Sequence, residues 1–388
     1  MKYLSIVFVF GILTIHAQDK FDEAKTFFKS APLQSIKLLE EYVDEDLSNE
    51  NYAKGYYALS YLYHYQEISL EQALIAGFKA LHYFDKVEDK EGEEKTLRHI
   101  SQIHLKAKNY LESKEYSTLA LSYNINDNKV AQNHHNLGIA NLRTGNFEEA
   151  IDHYSKAIAF YEGQKDQIKI CELTIELGLV EFYKEKYPEA IEIYKKAHGR
   201  ALEWKLLEWQ SRALNNIGNA YLIQGDTKNA LKYLKQAISL EYENDAESKL
   251  GAMYNLAKIY FDQKKLDSAN LYVMKAIDSY GNLHDMPQYF DAMDLRKQIA
   301  ISRMDIDSAM FYLNKQSQLA KELLSFKSDL QQQNTRLLVS WKETQKRNLE
   351  LSNSYKMLVD QRNWLIGIGL ISLSVIIWLA IKLKRKPV

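Results

Sequence analysis

The sequence predicts an all-α protein, and three observations support that prediction. Only 15 glycines and 4 prolines occur in 388 residues, so turns are few and the segments between them are long. Small residues recur with a period near 40. Hydrophobic residues make up 46% of the chain and charged residues 26%, which is typical of a protein with a packed core.

The charge balance and the cysteine content argue against two classes of function. The net charge is −1, and no long basic block lies outside the last few residues, so a nucleic-acid-binding surface is not expected. Cys171 is the only cysteine, which excludes an internal disulfide and a multi-cysteine zinc site. Stability must therefore come from packing.

The first element is a signal peptide at residues 1–17. Lys2 precedes an apolar run from Leu4 to Ile15, and Ala17 completes a cleavage pattern. The run is shorter than the ~20 apolar residues that a membrane-spanning helix needs. We therefore expect export and cleavage after Ala17, with an uncleaved anchor as the alternative.

The second element is a repeat array at residues 18–323. One small residue marks each copy, and a second follows seven positions later in the clearest copies. Residues that are two helical turns apart share a face, and small ones let a neighbouring helix approach closely. Small residues such as Gly138 and Gly178 are expected to do the same in the first helix of a pair, and bulky residues such as Phe147 and Ile306 to fill the space where the second helix begins. The marker residues are Ser35, Ala73, Ser113, Ala150, Ala190, Ala230, Ala269 and Ala309.

The clearest copies resemble the tetratricopeptide repeat family. In one copy Leu137-Gly138 is followed by Gly145-Asn146-Phe147-Glu148-Glu149-Ala150, and in another Ile217-Gly218-Asn219 is followed by Gly225-Asp226 and Ala230. The resemblance implies antiparallel helix pairs stacked into a right-handed superhelix of about seven to eight repeats, although the period here exceeds the family's usual 34 residues.

In that family the first helix of each pair lines a concave face that binds proteins or peptides. The resemblance therefore implies a protein-interaction function without catalysis and without a cofactor. Amides, cations and tyrosines at the family's groove positions would suit peptide recognition, with ordinary solvated surface as the alternative for each. These candidate partner-binding residues are Arg98, Gln102, His135, Arg143, Tyr183, Asn215, Asn219, Tyr254 and Lys258.

No catalytic or metal-binding group stands out. The chain has no phosphate loop, dinucleotide fingerprint, nucleophile elbow or zinc-protease motif. His134 and His135 are adjacent and cannot both face one metal ion from a regular helix, so we interpret them as surface or packing residues. Cys171 is expected to be a buried small side chain.

The third element is a helical stalk at residues 324–363. Leu323, Leu330, Leu337, Leu351 and Leu358 are spaced in sevens, which forms one side of a coiled-coil seam. The other side contains mainly polar residues, so a stable isolated coiled coil is left open. A homodimer through the stalk is the partner arrangement that this seam favours.

The last elements are a transmembrane helix at residues 364–381 and a basic tail at residues 382–388. Eighteen consecutive uncharged residues include Trp364 and Trp378 near their ends, and four cations follow. The cations place the C-terminus in the cytoplasm and the array in the periplasm of a bacterial inner membrane.

The order of these elements is similar to the sensory half of bacterial histidine kinases and regulators that contain tetratricopeptide repeats. Two functions follow. The first is a membrane-anchored periplasmic scaffold that binds a protein or peptide through the concave face. The alternative is a sensory component that relays binding through the stalk to a separate histidine kinase or transcriptional regulator.

Overall fold

The chain forms helix pairs throughout the part that the structure describes. The computed structural model describes residues 20–240, 246–279, 287–318 and 320–321, all within the compact unit Met1–Gln331. These residues contain sixteen helices and no strand. The helices are α1 (20–26), α2 (Pro32–Val43), α3 (Asn49–Tyr65), α4 (Leu70–Lys86), α5 (Lys90–Lys106), α6 (Tyr110–Ser122), α7 (Asp127–Arg143), α8 (Phe147–Gln164), α9 (Gln167–Tyr183), α10 (Tyr187–Glu203), α11 (Leu207–Ile223), α12 (Thr227–Ser239), α13 (Ala246–Asp262), α14 (Leu266–Ser279), α15 (Pro287–Ser302) and α16 (306–318).

The predicted all-α fold of helix pairs is confirmed for these residues. The predicted signal peptide (1–17), stalk (324–363), transmembrane helix (364–381) and tail (382–388) lie outside the described residues. Among the helices that the structure describes, none is both long and apolar enough to cross a bilayer.

Local sequence signals explain where the helices begin and how they turn. Asp166 caps α9 by accepting a hydrogen bond from the backbone N–H of Lys169 at 3.0 Å, as expected for an N-cap aspartate. The turns from α7 to α8 and from α11 to α12 contain Gly145 and Gly225 at φ values of 81° and 80°. Glycine adopts this left-handed conformation without strain, which favours a tight turn between paired helices.

The marker residues lie at the centre of the packing. All of them from Ser35 to Ala269 are fully buried. Gly138 and Gly178 of the first helices lie against Tyr154 and Tyr194 of the second helices, and a β-carbon at either glycine would fall 2.5 Å from the ring. The predicted role of small residues in close helix approach is thus confirmed.

The last pair departs from this pattern. Ala309 is only half-buried, and Ile306 is 73% exposed instead of filling the start of the second helix. The expectation for Ile306 is wrong because no further described helix packs against α16, so the apolar surface that would be covered inside the array faces solvent.

The odd-numbered helices form a continuous layer. From α2 to α15 each helix packs against the next one along the chain, and each odd-numbered helix from α3 to α13 also contacts the next odd-numbered one. Even-numbered helices contact each other through longer side chains, as in the ring contact of Phe78 with Tyr116 between α4 and α6 and the ion pair of Arg200 with Glu162 between α10 and α8. We call the exposed surface of the odd-numbered layer the inner face.

Candidate partner-binding face

All nine predicted partner-binding residues lie on the odd-numbered helices. Residues 98 and 102 are on α5, 135 and 143 on α7, 183 on α9, 215 and 219 on α11, and 254 and 258 on α13. Their availability differs, because some side chains are already engaged within the protein and others are exposed.

Arg98 is held within the array. Its Nε lies 3.1 Å from Glu94, which is 1% exposed, and its Nη1 donates to Gln132 of α7 at 2.6 Å. Asn133 also donates to Glu94 at 2.9 Å. Arg98 therefore joins α5 to α7 through charge-assisted bonds, and it contributes to the structure of the layer.

His135 has a comparable position between α7 and α9. Its Nε2 lies 3.9 Å from Glu172, which also pairs with Lys169 at 2.6 Å. Burial lowers the pKa of His135, so its imidazole is neutral at pH 7. The contact between His135 and Glu172 is therefore not an ion pair at that pH.

Arg143 and Tyr183 form an exposed pair at the ends of α7 and α9. Arg143 Nη1 donates to the Tyr183 hydroxyl at 2.8 Å, and the guanidinium carbon lies 5.6 Å from the centre of the ring. Tyr183 remains 46% exposed. A rigid ring backed by a cation offers a large contact surface, which is common at protein interfaces.

Buried tyrosines lie beneath this part of the inner face. Tyr154 passes below Gly138, and its hydroxyl approaches Glu176 of α9 at 3.4 Å. Tyr194 passes below Gly178 in the same manner, and its hydroxyl has no hydrogen-bond partner among the described residues. Burial raises the pKa of Glu176, and this effect is partly offset by the charge of Arg143.

Asn215 and Asn219 lie one turn apart on α11, and both are partly exposed. The side chain of Asn215 faces Gly251 of α13, where a β-carbon would come within 3.1 Å of Nδ2. Its Oδ1 is buried, and the described residues provide no donor for it. This oxygen is closed to solvent, so a partner on the inner face does not reach it.

Tyr254 and Lys258 line a cavity of about 190 Å³ between α13 and α15. Asp291 and Asp294 of α15 form its acidic side, and Leu295 lies in its wall. Burial and then the charge of Asp294 raise the pKa of Asp291. The cavity combines aromatic rings, a cation and three carboxyl groups, the third from Asp262, within the odd-numbered layer.

An aromatic stripe on α3 was not predicted from the sequence. Tyr57, Tyr61 and Tyr65 occupy successive turns, and the last two are 40% and 48% exposed. Tyr65 donates to Gln102 of α5 at 3.2 Å, and Lys95 lies 4.2 Å from the centre of the Tyr57 ring. The spacing of four residues was the available signal for this stripe.

The comparisons with known proteins support the repeat assignment. The sequence model described as tetratricopeptide repeat matches residues 92–163 and 170–240, and a second model of that description matches residues 215–282. The chain contains tetratricopeptide repeats. A search of curated proteins found no match to the sequence.

Solved structures share the tetratricopeptide fold at low sequence identity. The apo form of RapI has a TM-score of 0.58 at 16% identity, over 70% of this chain and 100% of that chain. A tetratricopeptide repeat protein from Parabacteroides merdae has a TM-score of 0.56 at 15% identity, over 71% and 98%. Yeast Tom70 has a TM-score of 0.55 at 18% identity, over 79% of this chain and 59% of its own. At these identities the likeness establishes the fold alone.

Proposed function

We propose that this protein is a non-catalytic scaffold whose inner face binds a protein or peptide partner. The observation that carries the proposal is the continuous odd-numbered layer, which displays exposed tyrosines and cations on a single surface. Tyr183 offers contact area, and Lys258 offers a charge beside a cavity. These groups suit an extended peptide, which presents N–H groups, carbonyls and side chains in alternation.

We further propose that the scaffold is exported and anchored in a bacterial inner membrane. The sequence supports this through the signal peptide at 1–17, the stalk at 324–363, the span at 364–381 and the basic tail at 382–388. The array would then face the periplasm and the C-terminus the cytoplasm. Protease added to intact spheroplasts should digest the array and leave a fragment that contains the tail.

Site-specific photo-crosslinking in cells tests the binding face. A photoreactive residue is placed at Tyr183 on α9 or, as the matched control, at Leu202 on α10, which is 58% exposed on an even-numbered helix. We expect a discrete higher-mass adduct from position 183 and none from position 202. Adducts of equal yield at both positions, or at neither, would contradict binding through the inner face.

A sensory role is the second candidate, and the leucine spacing of the stalk favours it. In this alternative, partner binding associates or rotates paired stalks and passes the change to a separate histidine kinase or transcriptional regulator. Leu330→Cys lies on the seam and Thr335→Cys lies off it. In a Cys171→Ser background, oxidation in membranes should crosslink only the first variant, and equal crosslinking of the two would count against a paired stalk.

A further inference from the structure

A net negative charge distinguishes the cavity between α13 and α15. Of the described residues that line it, three are aspartates, Asp262 on α13 and Asp291 and Asp294 on α15, and one is a lysine, Lys258. Three carboxylates and one ammonium group leave a net charge of −2 at pH 7. The cavity therefore favours a positively charged group over a neutral or negative one.

One of these carboxylates is engaged within the described array, and the other two are not. Asp294 accepts hydrogen bonds from Lys297 Nζ at 2.5 Å and from Gln298 Nε2 at 2.6 Å. Asp262 and Asp291 are exposed, and neither forms a hydrogen bond or an ion pair with a described residue. Two carboxylates of the cavity are thus open to a bound group.

The charge of Asp291 is only partly compensated by its surroundings. Burial raises the pKa of its carboxyl group, the charge of Asp294 raises it further, and the charge of Lys258 lowers it. Lys258 acts at a distance, because no ion pair joins its ammonium group to Asp291. A cation that binds next to Asp291 would therefore stabilise an ionised carboxylate that burial and Asp294 disfavour.

The aromatic side of the cavity suits a flat, delocalised cation. Tyr254 and Phe261 both line it, and they lie about two helical turns apart on α13, so they share a face of that helix. Aromatic rings attract guanidinium groups and stack on them. Leu295 adds apolar surface for the aliphatic part of an arginine side chain.

Arginine matches this lining better than other cations do. Its guanidinium donates two parallel N–H bonds to a carboxylate, whereas the ammonium group of lysine is a compact, strongly hydrated charge. A metal ion is a poorer match, because no three acidic, histidine or cysteine side chains among the described residues are grouped so that they could hold one.

We infer that the cavity between α13 and α15 binds an arginine side chain of the partner, with Asp291 as the carboxylate that accepts its N–H groups. The inference rests on the proposed function, and it names the side chain by which the partner is held at α13 and α15. Asp262 is a second acceptor in the same lining, and Tyr254 and Phe261 provide the stacking surface. The partner accordingly carries an exposed arginine in the segment that lies along the inner face.

Two small probes of nearly equal shape test the cavity directly. N-acetyl-L-arginine N-methylamide carries the charged guanidinium, and N-acetyl-L-citrulline N-methylamide replaces it with a neutral urea group. Each probe is titrated into the full chain in detergent micelles, and binding is followed by saturation-transfer difference NMR spectroscopy. The arginine probe should bind roughly tenfold more tightly than the citrulline probe, because only the arginine probe forms charge-assisted hydrogen bonds.

Asp291→Asn is the variant that tests the assigned carboxylate. It keeps the shape of the side chain and removes its charge, so it should weaken the binding of the arginine probe roughly tenfold and leave the citrulline probe nearly unaffected. Asp127→Asn is the matched control, since this aspartate is also exposed on an odd-numbered helix, α7, and does not line the cavity. The control variant should bind both probes as the wild type does.

Two outcomes with the probes would overturn the inference. The first is equal affinity of the wild-type chain for the arginine and citrulline probes. The second is unchanged binding of the arginine probe to an Asp291→Asn protein whose helical circular dichroism spectrum matches that of the wild type.

The photo-crosslink at position 183 separates this inference from the proposed function. In cells, Asp291→Asn should remove most of the adduct that forms from that position. If the adduct forms in equal yield with and without Asp291→Asn, the partner does not use the cavity and the inference is wrong. If the arginine probe binds as expected but position 183 gives no adduct in the wild-type background, the arginine site stands and the proposed binding through the inner face fails.

Discussion

At the scale of single residues, the closest helix contacts occur where a tyrosine ring crosses beneath a glycine. Gly178 lies in the middle of α9, where glycine costs about 1 kcal/mol relative to alanine. The ring of Tyr194 occupies the space that a side chain would need. Glycine at this position therefore lowers the helix propensity of α9 but allows the close contact with Tyr194.

Gly178→Ala should destabilise the protein by about 1–3 kcal/mol, because overpacking outweighs the gain in helix propensity. The matched control is Gly199→Ala in α10, where the added β-carbon has no heavy atom within 4 Å apart from its chain neighbours and the backbone of its own helix. This second change should stabilise the fold by up to about 1 kcal/mol. Urea denaturation followed by circular dichroism measures both, and equal effects of the same sign would contradict the contact.

Buried histidines make the first pairs of the array sensitive to acid. Burial lowers the pKa of His64 to about 4 and that of His99 to about 3, whereas an unfolded histidine titrates near 6.5. The unfolded state therefore binds protons first as the pH falls. The stability from these neutral rings is complete above pH 6.5 and is lost as the pH falls toward 4.

His64→Leu should reduce this acid sensitivity. The variant keeps an apolar side chain at a position that is 8% exposed and removes one proton-binding site. Between pH 7 and pH 5 its Tm, measured by differential scanning calorimetry, should fall less than that of the wild type. The variant should lose about 1–3 kcal/mol less of its free energy of unfolding over this range. Parallel decreases in the two proteins would show that this residue does not determine the acid response.

At the scale of helix pairs, the contact between α5 and α6 differs from the glycine–tyrosine contacts of the pairs that contain Gly138 and Gly178. Serine hydroxyls meet there instead. The Ser101 Oγ lies 2.9 Å from Ser113 Oγ and 2.5 Å from Ser117 Oγ, and all three residues are fully buried. A cluster of this kind satisfies its polar atoms only when every member is present.

Ser101→Ala should therefore cost about 1–3 kcal/mol, because the hydroxyls on α6 lose their partner. Ser117→Ala should be destabilising for the same reason. The double variant should be less destabilised than the sum of the two single variants, with a coupling energy of about 0.5–3 kcal/mol. Additive free energies of unfolding in this double-mutant cycle would show that the cluster is not cooperative.

The sequence indicated the pairing of helices better than the contacts within them. The marker residues from Ser35 to Ala269 could be predicted because one small residue recurs at the same place in each repeat, where neighbouring helices approach closely. The hydrogen bond between His134 and His153 could not be predicted, since it depends on the rotation of α8 against α7. A sequence shows that two helices pack, but a rotation of a few degrees decides which polar atoms meet.

The same limit applies to the inner face. All nine candidate residues lie on odd-numbered helices, as the repeat register predicted. Whether each one is free depends on residues far along the chain: Arg98 binds Gln132, and Tyr183 binds Arg143, which is 40 positions earlier. These contacts arise only once the period of the array brings neighbouring repeats into register.

At the scale of the whole array, every described contact between helices joins near neighbours in the chain. Helices contact those one or two places away, and no packing links the first pair to the last. The free energy of unfolding of such a stack is approximately the sum of the stabilities of the individual helix pairs and of the interfaces between neighbouring pairs. Pairs at the ends have one such interface and central pairs have two, so the ends should open first.

Hydrogen exchange followed by mass spectrometry should reveal this gradient. Amides of α8 to α11 should exchange most slowly, and those of α1, α2 and α16 most rapidly, because local opening needs fewer interfaces to break at an end. Leu39→Ala removes a fully buried side chain from α2 and should cost about 2–5 kcal/mol locally. It should speed exchange in α1 to α3 and leave α9 to α11 unchanged. If the variant accelerates exchange equally in all these helices, the array unfolds as one cooperative unit and the nearest-neighbour description is wrong.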